Sequence, residues 1–302
     1  MSGDSAVHAF SHIDDKVADL ISMTIGKTRH SPNGAQMDER SDPGLAENRG
    51  LLRWPPSAGI GRHARLHPPA DLALWVECFW MVTWDLDCPY LQETLPHPNF
   101  YLAFQDGRCT VGGVNTGKSS HLLEGRSGVF GITFRPGGFR PFMREPAVAL
   151  ANRIVPAAEV FTQGVSALEG RLHTLEWDED RMLAVTAAFL RDREPAPDAN
   201  VELSVRLIEE IRGDNTIKAV KDLERQTGMS KRSLQRIFRE YVGTTPKWVI
   251  QRFRLHELVD RLNSGEQPDW CQLALELGYF DQAHLINAFK AVVGSPPGQY
   301  SK

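Results

Sequence analysis

GMSKRSLQRIF (residues 228–238) and GYFDQAHLINAF (residues 278–289) are two copies of one pattern. In each copy a glycine precedes a residue with a side-chain oxygen, Ser230 or Asp281, and two apolar residues four positions apart follow. The glycines are 50 residues apart and the oxygen-bearing residues 51, so the second turn is one residue longer. The pattern predicts a helix, a tight turn and a second helix in each copy.

The residue types suit such a unit. Gly228 and Gly278 can take the positive φ that ends one helix and redirects the chain. Ser230 and Asp281 can cap the free N–H groups of the helix that follows. The apolar residues at positions i and i+4 form one stripe, which we expect to be buried against the preceding helix.

The side chains between these apolar residues must then face outward, and most of them are basic or carry an amide. Such side chains suit guanine and adenine edges and phosphates. A helix-turn-helix used only for packing is the alternative, but the duplication favours DNA binding. The residues predicted to contact DNA are Lys231, Arg232, Gln235, Arg236 and Arg239 in the first copy and Gln282, His284, Asn287 and Lys290 in the second.

Charge and length support that interpretation. Residues 230–254 hold seven Lys and Arg and one Glu, in a chain of net charge −4. This is either a footprint for a polyanion or a solvated helix face.

Residues 246–263 predict a connecting helix about 27 Å long at 1.5 Å per residue. That length is of the order of the ~34 Å between successive major-groove openings, so a monomer or a homodimer fits the sequence.

Residues 204–300 resemble the DNA-binding domain of the AraC/XylS family of bacterial transcription regulators. The resemblance rests on the two quoted stretches and on GSPPGQY (residues 294–300). It implies that the second helix of each unit reads double-stranded DNA and that the chain controls transcription initiation, with RNA polymerase as a further partner. It also implies that the other domain senses a small-molecule effector or mediates dimerisation.

Two residues depart from the family pattern. Glu224 stands where the family has a small Ala, as Ala274 does in the second copy. If Glu224 is enclosed and unpaired, its charge is costly, so Glu224→Ala should stabilise the domain. If Glu224 is half-exposed and pairs with Lys221 or Arg225, the substitution should be nearly neutral. Asn287 replaces a residue that is often basic in the family, so the first unit should dominate affinity.

The rest of the chain predicts an α+β fold, with a mostly antiparallel β domain and flanking helices before an all-α domain of two helix-turn-helix units. Residues 72–86, 100–104, 111–114 and 129–134 are rich in β-branched and aromatic residues and predict strands. Helices are predicted from residue 147 onward, beginning with 147–154. The predicted divisions are a poorly ordered extension (1–50), a β-rich sensory or dimerisation domain (51–190), a linker (191–200) and the DNA-binding domain (201–302).

The effector site cannot be assigned from the sequence. Three segments resemble an effector-type β domain, although this resemblance is weaker than that of the helices: LPHPNFYLAF (residues 95–104), residues 111–113 and GITFRPGGFRPFM (residues 131–143). In one interpretation, Arg135 and Arg140 lie near a pocket for an anionic ligand. In the other, which the sequence favours, the segment is a strand end followed by a tight turn.

Metal and nucleotide sites are weakly indicated. His63, His67, Cys78, His97 and Cys109 could converge on a metal ion, but their spacing matches no known ligand motif, so we expect neither metal nor cofactor. GGVNTGKS (residues 112–119) fits a phosphate-binding P-loop, but no helix is predicted after it, and a Gly-rich hairpin turn is preferred.

Catalysis and membrane insertion are not predicted. Gly-x-Ser-x-Gly is absent, and we expect no enzyme. The alternative is a β-domain enzyme or metalloprotein fused to an AraC-type module. No apolar run reaches the ~18 residues of a membrane helix, and no secretory signal is visible. The four cysteines form no C-x-x-C pair, so we expect a reduced, cytoplasmic protein.

Overall fold

The computed structural model describes residues 60–300, except 194, 265 and 267. The predicted extension, residues 1–50, lies outside the described residues. Six strands form one sheet in the order β1-β2-β5-β3-β4-β6, and every pairing is antiparallel. The strands are β1 Ile60–Leu66, β2 Val76–Thr94, β3 Tyr101–Gln105, β4 Arg108–Gly112, β5 Ser119–Phe134 and β6 Ile154–Pro156. The predicted antiparallel β domain is confirmed.

The two faces of the sheet pack differently, because successive side chains on a strand point to opposite faces. Phe79 and Ile132 belong to a large core that includes the helices following the sheet. Trp80 and Val129 belong to a smaller cluster on the opposite face. Leu123, which lies near the other end of β5 from Val129, also joins that smaller cluster.

Helices follow the sheet and make up nearly all of the C-terminal region. The α-helices of the described residues are α1 Ala157–Val160, α2 Val165–His173, α3 Glu179–Arg191, α4 Ala199–Gly213, α5 Val220–Thr227, α6 Lys231–Ile237, α7 Pro246–Asn263, α8 Trp270–Glu276, α9 Gln282–Val293 and α10 Pro297–Tyr300. Short 3₁₀ helices cover Ala70–Leu72, Arg140–Phe142 and Ala147–Leu150, and α6 continues as one π-helical turn over Phe238–Val242. None of these helices is both long and apolar enough to cross a bilayer.

Two local predictions are wrong. Residues 147–154 do not form a helix, because the chain leaves a 3₁₀ turn through Asn152, whose φ is 57°, and then enters β6. GGVNTGKS is not a hairpin turn, because β4 and β5 are not paired and β3 lies between them. The segment connects two strands, so it also lacks the helix that a P-loop requires.

Two separate cores hold the C-terminal helices. The first gathers buried residues between Val201 and Phe253, among them Leu223, Leu234 and Phe238. The second gathers buried residues of α7, α8 and α9, together with Leu95 from the β domain. Leu95 follows β2 directly and is fully buried. The second helical unit is therefore packed around a side chain that the β domain supplies.

Candidate nucleic-acid interface

The first unit consists of α5, a turn at Gly228 and α6. Gly228 has φ 69°, which lets α5 end and the chain reverse. The Ser230 hydroxyl accepts a hydrogen bond from the Ser233 N–H at 3.2 Å and so caps α6. Leu234 is fully buried and Ile237 nearly so, which seats α6 on the core. The sequence-predicted turn and cap are present.

Glu224 forms part of the same cap. Its Oε1 accepts a hydrogen bond from the Lys231 N–H at 2.6 Å, at the first residue of α6. The side chain is half-buried, and Arg225 pairs with Asp222 instead. The expectation of an enclosed, unpaired carboxylate is therefore wrong, because Glu224 is half-buried and accepts a hydrogen bond. Its negative charge also lies at a helix N-terminus, where such a charge is favourable.

The outward face of α6 carries the side chains predicted to read DNA. All five are exposed, and they lie on both sides of the buried Leu234. They are Lys231, Arg232, Gln235, Arg236 and Arg239. Four positive charges and one amide therefore point to solvent from two turns of one helix and its π-helical extension. Their contact with DNA stays a prediction.

The second unit consists of α8, a longer turn and α9. Gly278 has φ 79°, and Asp281 caps α9 by accepting a hydrogen bond from the His284 N–H at 2.7 Å. The His284 ring accepts a hydrogen bond from the Phe280 N–H at 3.4 Å and packs edge-on against Tyr279, with ring centroids 5.2 Å apart. His284 therefore helps to hold the turn, a role that its position in the sequence pattern did not reveal.

The other side chains of the second unit that are predicted to contact DNA differ in their exposure. Asn287 and Lys290 are exposed on α9. Gln282 is half-buried, and its side-chain oxygen lies 3.5 Å from the Cys271 sulfur, which donates to it. The second unit therefore presents one amide and one cation clear of the protein surface, against five such side chains in the first.

Two arginines of the basic segment, residues 230–254, are buried and do not reach solvent. Arg252 and Arg254 lie on α7 and are 3% and 2% exposed. Arg252 donates to the Thr116 carbonyl at 3.0 Å and lies over the Trp248 ring, and burial lowers its pKa to about 10. The basic footprint is therefore smaller than the composition suggests.

Arg254 is bound from several sides. Its guanidinium donates to backbone carbonyls of the α4–α5 connection at 2.8–3.2 Å. It also donates to the side chains of Asn215 and Glu257 at 2.6 and 3.2 Å. Arg254 therefore fixes α7 to the end of α4 and to the connection that leads into the first unit.

Comparison with known proteins agrees with this geometry. Residues 223–302 match a family described as a helix-turn-helix domain. An uncharacterized HTH-type transcriptional regulator of Haemophilus influenzae is 30% identical over 83 residues, which are 28% of this chain and 28% of that protein. The C-terminal part of this chain is an AraC-type helix-turn-helix domain.

Other comparisons concern the rest of the chain. Residues 64–156 match a family described as a domain of unknown function. ToxT from Vibrio cholerae O395 is 12% identical with a TM-score of 0.38, over 74% of this chain and 96% of that one. Wild-type ToxT from strain SCE256 with a bound unsaturated fatty acid is 10% identical with a TM-score of 0.35, over 82% and 97%.

The β domain packs directly against the second unit of the AraC-type domain. Besides the buried Leu95, the Pro96 carbonyl lies 3.3 Å from His256 Nε2 on α7. The His97 and His256 rings pack edge-on with centroids 4.2 Å apart. The sequence offered His97 as a candidate metal ligand, and nothing in it reveals that residues 95–97 enter a distant helical core.

Ion pairs join the β domain to the first unit. Arg140 Nη2 lies 2.6 Å from a Glu240 oxygen, just after α6, and Arg135 Nη1 lies 3.2 Å from a Glu209 oxygen on α4. Arg135 also lines a cavity of about 340 Å³ between the β domain and α4. Of the two arginines predicted near an anion pocket, one therefore borders a cavity, whereas Arg140 bridges to Glu240. The tight turn is also present, with the Gly138 N–H bonded to the Arg135 carbonyl at 2.7 Å.

Metal ligands are not gathered in the described part of the chain. No group of three or more His, Cys, Asp or Glu side chains is placed there to hold an ion. Burial raises the pKa of the Cys78 thiol to about 12 and also raises that of Cys109. Because a metal binds the thiolate, burial opposes ligation by either sulfur.

Proposed function

We propose that this chain is a sequence-specific DNA-binding regulator of transcription. The observation that carries the proposal is the face of α6, where five basic or amide side chains project from a capped helix seated by Leu234. Arginine and glutamine on such a helix suit guanine and adenine edges in the major groove. The second unit, with Asn287 and Lys290 exposed on α9, adds a smaller share of the affinity.

We also propose that the β domain responds to a small-molecule effector. Trp80, Gly131, Ala103 and Thr110 are successive cross-strand neighbours on one face of the sheet. The Trp80 indole N–H and the Thr110 hydroxyl on this face are buried without a hydrogen-bond partner among the described residues. An unsatisfied buried group costs about 1–3 kcal/mol, so a polar ligand group that reached either atom would gain a hydrogen bond that the described residues do not supply.

The contacts between domains provide a route from such a ligand to DNA. The segment after β2 supplies Leu95 to the second unit, and Arg252 of α7 binds the loop after β4. A shift of either segment changes how the second unit is held relative to the first. The effector therefore acts, in this proposal, on the relative placement of the two reading helices.

Several finer assignments belong to the same proposal. The division into residues 51–190, a linker at 191–200 and 201–302 is supported by the end of α3 at Arg191 and the start of α4 at Ala199. We propose a cytoplasmic protein without catalytic activity or cofactor, acting as a monomer or a homodimer, with RNA polymerase as a further partner. Stoichiometric metal, or chemical modification of DNA by the purified chain, would favour a β-domain enzyme or metalloprotein instead.

The test is selection of duplexes from a random pool by the purified full chain. We expect a shared sequence among the selected duplexes and an affinity that falls steeply with salt, because Lys and Arg release counterions from phosphates. Recovery of no common sequence, at any salt concentration, would reject the proposal. Arg171→Ala is the matched control for substitutions in α6, since Arg171 is also exposed and helical but lies in the β domain.

A further inference from the structure

The extra residue in the second turn is Phe280. In the first unit Met229 alone separates the glycine from the cap, whereas Tyr279 and Phe280 both do so in the second. Tyr279 is 5% exposed and packs in the core, as the partly buried Met229 does in the first unit. Phe280 is 86% exposed. The additional residue is thus a large apolar side chain that the fold leaves in solvent.

The turn holds Phe280 in a fixed place. The Phe280 N–H is bonded to the His284 ring, and that ring packs against Tyr279. Asp281, the next residue, caps α9. The backbone on both sides of Phe280 is therefore anchored, and its ring projects from an ordered support. An aromatic side chain on an anchored backbone has only two rotatable bonds left to order when it binds a partner, so the entropy cost is small.

Phe280 also lies at the end of the outward face of α9. Ala283, Asn287 and Lys290 are exposed at positions three, seven and ten residues beyond it, which is helical spacing. In a helix-turn-helix the N-terminal residues of the second helix approach the base edges most closely. Phe280 therefore sits where the second unit of the proposed regulator would meet the bases.

We propose that Phe280 recognises a thymine through its C5-methyl group in the major groove. His284 is engaged in the turn and Gln282 is half-buried, so Phe280 and Ala283 form an apolar start to the reading face. The thymine methyl is the apolar group that the major groove offers, and Phe and Ala suit it. This inference rests on the proposed DNA-binding function.

The test combines a protein substitution with a DNA substitution. The probe is a duplex selected by the full-length wild-type chain, together with copies in which each thymine in turn is replaced by deoxyuridine, which lacks the methyl. We expect one deoxyuridine to weaken wild-type binding about fourfold, the equivalent of losing one buried methyl group. Phe280→Ala should weaken binding to the thymine duplex about tenfold, since it removes more apolar contact than one methyl. It should also bind the thymine and deoxyuridine duplexes equally.

A matched control separates this effect from general apolar exposure. Leu275 lies in the same unit, on α8, and is 58% exposed. Leu275→Ala should bind as the wild type does and keep the sensitivity to deoxyuridine. Phe280→Ala with unchanged affinity, or with an undiminished deoxyuridine effect, would overturn the assignment while leaving the proposed function intact. Failure to select any duplex would reject both.

Discussion

The two helix-turn-helix units share a pattern but differ in what completes them. The first draws the buried residues of its core from Val201 to Phe253 and closes its turn with its own Glu224. The second includes Leu95 of the β domain among its buried core residues and uses His284 to hold a longer turn. The β domain packs half-buried side chains, Leu74 and Trp75, against the core of the first unit, whereas it places a fully buried one, Leu95, inside the core of the second.

The two units also differ in the polar groups that they expose and in their contacts with the β domain. The first unit has the exposed charge and amide groups, and Arg254 on the connecting helix binds the segment that leads into it. The second has fewer exposed polar groups on its reading helix, but the β domain packs directly into it. The β domain contacts both units, through Arg135 and Arg140 at the first and through the buried Leu95 at the second, and substitutions can test how separate these contacts are.

The largest effect is expected at the anchor of the first unit. Arg254→Met removes hydrogen bonds to the Ile211, Asp214 and Ile217 carbonyls and leaves these groups without that donor. We expect a loss of about 4 kcal/mol in the free energy of unfolding, as for breaking a buried charged network. Denaturant unfolding of the full chain measures it.

Arg252→Met is the matched control for Arg254→Met. It removes an equally buried arginine that donates to one carbonyl, that of Thr116, and whose pKa burial lowers to about 10. Relief of the desolvation should offset the lost bond, so the change should stay within about 1 kcal/mol. Equal losses in the two variants would contradict the difference in anchoring.

The next effect tests the dependence of the second unit on the β domain. Leu95→Ala should cost about 3 kcal/mol, because it empties a fully buried site. Hydrogen exchange should become faster in α8 and α9 while α5 and α6 keep their protection. Leu91→Ala, at a residue that is 54% exposed on β2, the strand just before Leu95, should be nearly neutral. Uniform loss of protection across both units would count against separate control.

A third effect concerns DNA rather than folding. Arg236→Ala should weaken binding to a selected duplex by about 2 kcal/mol and relax the preference at particular base pairs, as for the loss of a base contact. Stability should be unchanged, since Arg236 is exposed. Competition between specific and random duplexes measures the effect. Equal losses on both would assign Arg236 to a phosphate instead.

Local sequence was sufficient to predict the helices and turns of the two units, but it failed at residues 147–154 and 112–119 and did not reveal the contacts between domains. The spacing of Gly228, Ser230 and Leu234 fixes a turn, a cap and a buried stripe within eleven residues, and each is present. Leu95 and Arg252 could not be placed in this way, because their partners are remote in the chain. Composition cannot distinguish an arginine on a DNA-facing surface from one buried between domains.

The smallest expected effect is that of Glu224→Ala, which tests how the first turn is held. The sequence predicts that Glu224→Ala stabilises the domain, but the carboxylate accepts the Lys231 N–H at the start of α6. Removing it leaves a first-turn N–H without its acceptor and takes a negative charge from a helix N-terminus. We therefore expect Glu224→Ala to cost about 1 kcal/mol, the usual loss for a helix cap. Glu224→Gln keeps an acceptor without the charge, so it should fall between the wild type and the alanine variant. Thermal unfolding of the three proteins measures the order, and a more stable alanine variant would show that the carboxylate strains the turn.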